Sequence, residues 1–323
     1  MGLSIRIAST GVYVPQEMVT AAALDSRLGL APGTTLARNG VATRYFANET
    51  ETASLMGTAA IERALSSAGL AAQSLDAILF SGVMSEQPMP STAILIHRRL
   101  GCREESTCFD INASCAGFLK GMEIAAAGIH SGMWLRVAVV AVEIASKGLR
   151  WEDLDTCTLF GDGASAVILE HGSTSELIAT HSRAISDGSE LCQMRAGGSR
   201  FNVRTPPPSF DDYLFAMKGR ALLSLVQKHF PAFLEQAIGG HPPVQLVIPH
   251  QASAIGLAFL RKQLAGHGLP IVDILSDFGN QVSASIGFAL HHAICRQQLQ
   301  RGDTALMIAT AAGVTMNAIL LRY

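Results

Sequence analysis

Three residues of this 323-residue chain have types and settings that suit joint chemistry: Cys115, His250 and Asn280. Cys115 lies in FDINASCAGFLKG, where an apolar strand ends, small residues turn the chain, and a helical stretch begins directly after the sulfur. The free N–H groups and positive end of a helix stabilise a thiolate, and small neighbours let an acyl chain approach. This setting therefore predicts a lowered thiol pKa and a nucleophile. The competing reading is a small buried hydrophobe, the usual state of a cysteine in an apolar segment. His250 ends the run LVIPH ahead of another helical stretch, and sites collect at strand ends in α/β folds. Asn280 occupies DFGNQVSASIG, a Gly/Asn turn at the mouth of a third helix, where asparagine also serves simply because it tolerates left-handed backbone angles. A lone His or Asn carries little meaning; three polar residues at comparable junctions make a site the better reading.

The elements that position them are short β-type runs alternating with Ala/Leu-rich helical stretches: AILFSGV, RVAVVAVE, VILE, LVIPH and ALMIAT. Continuous apolar strands of this kind imply an α/β protein whose sheets are covered on both faces. At 323 residues and 49% hydrophobic, the chain reads as two fused domains. An internal echo places the boundary near residue 172. FGDGASAVILE closes the first half and TAAGVTMNAILLRY the second, and the helix openings at Cys115 and Ser285 resemble each other. Residues 1–172 would then carry the cysteine, and residues 173–323 the histidine and asparagine; chance likeness among Ala/Gly-rich segments is the alternative. The Pro-rich stretch at 205–208 reads as a loop.

Composition excludes several function classes. Net charge is −2 with 15% charged residues, which gives nucleic acid no electrostatic footprint. The six cysteines (102, 108, 115, 157, 192, 295) lack the paired spacings of a zinc cluster or a disulfide scaffold, so reduced thiols in the cytoplasm are expected. No signal peptide or membrane span is expected: the start, MGLSIRIAST, has no basic region before a long apolar one, and the apolar run at 137–145 is short and interrupted by Glu143. Met1-Gly2 superficially suggests myristoylation, but Arg6 stands where that motif needs Ser or Thr.

Over nearly its whole length the chain resembles the ketoacyl-acyl-carrier-protein synthase III branch of thiolase-like condensing enzymes. The motifs STGVYVP, ARNGV, QPMPSTA, DINASCAGF, LFGDGASAVIL, VIPHQAS, FGNQVSASIG and AAGVTMNAILLRY carry this in order and spacing. The resemblance implies a thiolase-like fold: two pseudo-duplicated α/β halves in an α-β-α-β-α layered sandwich. It implies an acyl thioester on Cys115, and His250 with Asn280 binding a second, malonyl-type thioester. Decarboxylation leaves an enolate, so neutral donors, an imidazole N–H and a carboxamide N–H, suit the oxygen where charge develops. An oxyanion hole is expected from the backbone N–H groups of Cys115 and Ala312, the latter standing where the family usually has glycine. Substrate binding falls to Arg38, Met89 and Ser253. No cofactor is implied beyond acyl-CoA or acyl-carrier-protein substrates, and a homodimer is expected. The GDGAS turn at 161–165 is expected to pack near the site without a catalytic part, and Glu143 either orients neighbouring groups or meets solvent.

The chain departs from the family at coenzyme A contacts: Thr34 replaces an aromatic residue, while Leu154 and Ile255 replace basic ones. A weakened nucleotide platform leaves a carrier-protein donor, or an acyl-CoA held differently. Met89, pliable and unbranched, suggests an acyl pocket longer than acetyl, with a plain core methionine as the alternative. Lys147 and Arg150 read as a solvated basic turn, with pairing to an acidic acyl tail as the alternative, and Arg261 with Lys262 as an exposed helix face or a carrier-protein contact. Two other functions stay open: acyl transfer to an alcohol or amine without a new carbon–carbon bond, and a non-catalytic partner subunit. A papain-like hydrolase is disfavoured because its local sequence around cysteine is absent.

Overall fold

Alternating side chains along buried strands decide how the layers stack. In the computed structural model, which describes residues 2–323, the strands are β1 (Leu3–Tyr13), β2 (Glu17–Thr20), β3 (Thr43–Phe46), β4 (Ala77–Ser81), β5 (Thr107–Ile111), β6 (Arg136–Glu143), β7 (Gly163–Ala184), β8 (Cys192–Gln193), β9 (Ala216–Met217), β10 (Leu246–Pro249), β11 (Thr304–Ala311) and β12 (Thr315–Arg322). The helices are α1 (Ala21–Arg27), α2 (Thr34–Asn39), α3 (Ala53–Ala68), α4 (Thr92–Leu100), α5 (Gly117–His130), α6 (Leu154–Cys157), α7 (Gly219–Ile238), α8 (Ala254–Leu264), α9 (Leu275–Phe278) and α10 (Ala284–Cys295). Met1, where the lipidation motif would begin, lies outside the described residues.

Ala77 and Leu79 of β4 point to one side of the sheet and Ile78 and Phe80 to the other, as the two-residue strand period requires. The first pair, with Val137, Val139 and Ala141 of β6, packs on α5 and α10. The second packs on α3 and α4. In the other half Ala305, Met307 and Ala309 of β11 face α5 and α10, while Leu306 and Ile308 face α7 and α8. The order of layers is therefore α3/α4, sheet, α5/α10, sheet, α7/α8. The central helices are apolar at helical spacing, with Met122, Ala125, Ala126 and Ile129 on α5 and Ile286, Ala289, Leu290 and Ala293 on α10. Their closest approach needs a bare backbone: a Cβ on Gly287 would stand 2.2 Å from Ser165 Oγ and 2.8 Å from the Phe118 ring.

Each half pairs its strands in one pattern. In the first, β5-β4-β6 run parallel, and β7 lies antiparallel to both β6 and β1. In the second, β10 and β11 are parallel and β12 is antiparallel to β11 and β7; a parallel bridge from Val247 to Ile271 stands where β5 would recur. β7 serves both halves, pairing with β6 through residues 163–170 and with β12 through residues 176–184. Residue 172 thus sits inside a continuous strand. Residues 205–208 form irregular loop. Among the described residues, no helix is long and apolar enough to cross a membrane.

Candidate active site

The cysteine junction is built by a strand that stops and a helix that starts within a few residues. After β5, Asn112 Oδ1 accepts from the Ser114 amide at 3.3 Å, and Ser114 adopts a left-handed backbone (φ 48°). A single 3-10 turn, Ser114–Ala116, then leads into α5. Gly117 is required here: a Cβ would stand 1.6 Å from Ser81 Oγ at the end of β4 and 3.7 Å from Ser283 Cβ. The cysteine loop is thereby pressed between a strand end and the loop that carries Asn280.

Cys115 is half-buried and packs against both the central core and a second apolar cluster containing Leu149, Phe160 and Val282. Burial pushes its thiol well above the ordinary value, with Cys192 and the Glu143 carboxylate adding to the rise. The backbone N–H groups of Ala312 and of Cys115 itself act in the opposite direction. The lowered pKa expected from the helix start is not found. A helix end contributes only about 0.3–1 kcal/mol, which desolvation in an apolar setting exceeds. At rest this residue is a thiol.

His250 follows β10, its amide bonded to Ile308 O at 2.8 Å, and is 6% exposed. Ring Nδ1 lies 2.7 Å from Ser285 Oγ, so Nε2 is the nitrogen left for the cleft. Burial pushes the ring down to about 4, which makes the imidazole neutral at physiological pH. Gln251 anchors the turn through Pro249 O, Val272 O and the Ile274 amide. Asn280 Nδ2 donates to Ala252 O at 3.0 Å, and Oδ1 accepts from the Val282 amide at 2.8 Å. Three hydrogen bonds, one to Ala252 O and two to Ser285 Oγ from His250 Nδ1 and the Gln251 amide, thus tie the His250 and Asn280 loops together. The positive φ angles of this turn fall on Gly279 (69°) and Val282 (45°), so Asn280 is not there for its backbone.

The GDGAS turn packs beneath Asn280: the Asn280 amide donates to Leu159 O at 2.9 Å and the Gly161 amide to Asn280 O at 3.1 Å. A Cβ on Gly161 would meet Phe278 O at 2.3 Å. Glu143 at the end of β6 is buried rather than solvated. Its Oε1 accepts from the Val83 amide (3.0 Å), the Ser283 amide (3.3 Å) and Ser283 Oγ (2.6 Å), which braces the Asn280 loop against the sheet. Burial raises this carboxyl from 4.5 to about 7 against the pull of those donors. Between these values the native state holds the proton more tightly than the unfolded chain, so the group's contribution to stability falls as pH rises from about 4.5 through 7. Glu143→Gln keeps an accepting oxygen and removes the charge. At pH 8 it should melt at least about 2 °C above the parent, with the gap closing by pH 5; a variant less stable at both values would refute this.

Among the proposed substrate contacts, Arg38 on α2 pairs with Asp155 (3.4 Å), and Ser253 caps α8 by accepting from the Gly256 amide (3.1 Å). Both line a cleft of about 750 Å³ that reaches His250, along with Lys218, Arg220, Ile255 and Thr310. Cys115, Asn280 and Met89 are not among its lining residues; Met89 is 84% exposed. Arg150 pairs with Asp211 and Arg261 with Asp273, so neither is a free cation. Sequence reasoning missed Ser283 and Ser285. Their signal was faint, two serines in a small-residue turn, and their roles depend on partners 140 and 35 positions away.

The five layers, with a cysteine, a histidine and an asparagine at strand-to-helix junctions, define a thiolase-like acyl-transfer architecture. Two family models match, 3-oxoacyl-[acyl-carrier-protein] synthase III over residues 109–188 and its C-terminal part over 235–323. A relative named β-ketoacyl-[acyl-carrier-protein] synthase III from Aquifex aeolicus is 33% identical across 99% of this chain and 100% of its own. One of the same name from Methylococcus capsulatus is 31% identical across 98% of both. The crystal structure of 3-oxoacyl-[acyl-carrier-protein] synthase III from Aquifex aeolicus superimposes with a TM-score of 0.85 at 33% identity, covering 99% of this chain and 100% of its own. The priming β-ketosynthase of the R1128 polyketide pathway gives 0.86 at 25% identity, covering 99% and 96%. The chain belongs to the 3-oxoacyl-[acyl-carrier-protein] synthase III family of condensing acyltransferases.

Proposed function

We propose that Cys115 is acylated by a thioester and that the acyl group is then condensed with a malonyl-type thioester, with loss of carbon dioxide, to give a β-ketoacyl product. In loading, the sulfur–carbon bond to Cys115 forms as the donor's thioester bond breaks, and the thiol proton leaves with the departing thiol. In condensation, the extender's carboxylate carbon leaves as carbon dioxide. The resulting enolate carbon attacks the acyl carbonyl, the bond to Cys115 breaks, and the released thiolate takes up a proton from solvent. The observation that supports this reading is the joining of neutral, buried His250 to the Asn280 loop by hydrogen bonds through Ala252 and Ser285. The backbone N–H groups of Cys115 and Ala312 would hold the carbonyl oxygen of a thioester on the Cys115 sulfur as it gathers charge. Neutral His250 and Asn280 serve the enolate, which a neighbouring cation would not stabilise without first being desolvated.

Lys218 and Arg220 of the cleft, with Arg38 beside its partner Asp155, suit a phosphate-bearing pantetheine arm. Thr34 turns its hydroxyl to Ala31 O, and Ile255 is 66% exposed, so neither offers a stacking or charged nucleotide contact. A carrier-protein thioester is the donor these contacts favour. Met89 is exposed, and on the family resemblance its thioether would meet a second subunit and bound an acyl chain longer than acetyl. Intact-mass measurement after incubation with acetyl and medium-chain thioesters, on coenzyme A and on carrier protein, tests these points together. A medium-chain adduct, best from carrier protein, is expected. An acetyl preference would remove the Met89 assignment, and absence of any adduct would overturn the loading step. Product formed with an alcohol or amine but no carbon dioxide would replace condensation with simple transfer.

A further inference from the structure

Ser285 Oγ touches three groups but has one proton to give. It lies 2.7 Å from His250 Nδ1, 3.0 Å from Val282 O and 3.3 Å from the Gln251 amide nitrogen. The amide can only donate to it, and the carbonyl can only accept from it. If the hydroxyl donates to Val282 O, the His250 Nδ1–H donates to Oγ and all three contacts are satisfied. If the hydroxyl donates to Nδ1 instead, Oγ and Val282 O face each other with no proton between them. Ser285 is fully buried, and in that setting Val282 O keeps only the long 3.4 Å contact from the Ser285 amide, so one hydrogen bond is lost. One buried hydrogen bond of this kind biases the two arrangements by about fivefold.

We propose that Ser285 is a positioning residue that holds resting His250 as its Nδ1–H tautomer, so that Nε2 presents a lone pair to the cleft. This deepens the condensing reading above and rests on it. A lone pair at Nε2 matches the Cys115 S–H. As the sulfur–carbon bond forms, the thiol proton passes to Nε2 and on to the departing thiolate, and the imidazole ends neutral, as it began. An enolate oxygen makes the opposite demand, an N–H at Nε2, and that form has the Ser285 hydroxyl turned to Nδ1. The two half-reactions thus ask for opposite settings of one O–H, and the resting fold is set for the first. The sequence expectation of an imidazole N–H donor describes the second setting only.

Nitrogen-15 correlation spectra of the full-length protein, with His250→Gln to assign the resonance, read the tautomer without any catalysis. A proton on Nδ1 in the parent is expected, and a proton on Nε2 would overturn the proposal. Ser285→Ala removes the acceptor for Nδ1–H, so the proton should move to Nε2. Loading of Cys115 should then slow on the order of tenfold, while condensation from preformed acyl-enzyme changes less than about threefold. Equal loss of both steps would reduce Ser285 to a structural part. A parent that never acylates Cys115 but shows Nδ1–H would instead defeat the condensing reading and leave the tautomer assignment standing.

Discussion

Replacing Cys115 with alanine should abolish the acyl adduct and lower condensation by at least about 10,000-fold, while the variant melts close to the parent. The sulfur is half-buried and its loss leaves only a small gap, so a folding defect is not the expected cause. The other cysteines form a built-in control. Cys295 is exposed, and Cys102, Cys108, Cys157 and Cys192 have buried or partly buried thiols. An adduct that persists in Cys115→Ala would move the nucleophile to one of them. The raised thiol adds a pH signature. Because burial holds Cys115 above the ordinary cysteine value, its alkylation by iodoacetamide should climb roughly tenfold per pH unit from 7 to 9. A cysteine activated by a helix start alone would already be at its plateau there. A flat profile would restore the lowered pKa that the local sequence suggests.

The strands were readable because their signal is local. RVAVVAVE alternates two apolar faces, both covered, and it forms β6 over all eight residues. LVIP and ALMIA behave likewise in β10 and β11. Hidden from any single stretch was the sharing of β7 between the two halves, since a residue cannot report which distant strand it pairs with. The bridge at Ile271 shows the same limit: one parallel pair with Val247 carries no alternating pattern at all.

The site divides along a similar line. Cys115, His250 and Asn280 announce themselves by standing at junctions, and the structure ties the last two together through Ala252 and Ser285. Burial decided what could not be read. For Glu143 the sequence left orienting its neighbours and meeting solvent equally open, and burial decides for the first: it is 2% exposed and bonded across 140 positions to Ser283. The thiol pKa went the opposite way from the local expectation because desolvation is a property of everything around Cys115, whereas the helix start is a property of its neighbours alone. The left-handed angle credited to Asn280 falls on Val282, whose amide the Asn280 side chain holds.

Asn280→Ala should separate the two half-reactions. In the proposed mechanism loading places charge on an oxygen met by the Cys115 and Ala312 amides, and the carboxamide takes no part in it; this rate should stay within about threefold of the parent. Decarboxylation places charge on the extender's thioester oxygen. Asn280 Nδ2 has one hydrogen committed to Ala252 O and a second free to meet that charge, so its removal should slow carbon dioxide release by about 100- to 1,000-fold. Asn280→Asp sharpens the test. An aspartate can still accept from the Val282 amide, which preserves the turn, but it offers no N–H and brings an anion beside the developing enolate. It should therefore decarboxylate no faster than the alanine variant at pH 8 despite the better-kept loop. Melting temperatures of both variants separate chemistry from collapse of the Ala252 and Val282 contacts. If the aspartate variant condenses nearly as fast as the parent, the loop geometry is what matters and the carboxamide N–H is not the donor.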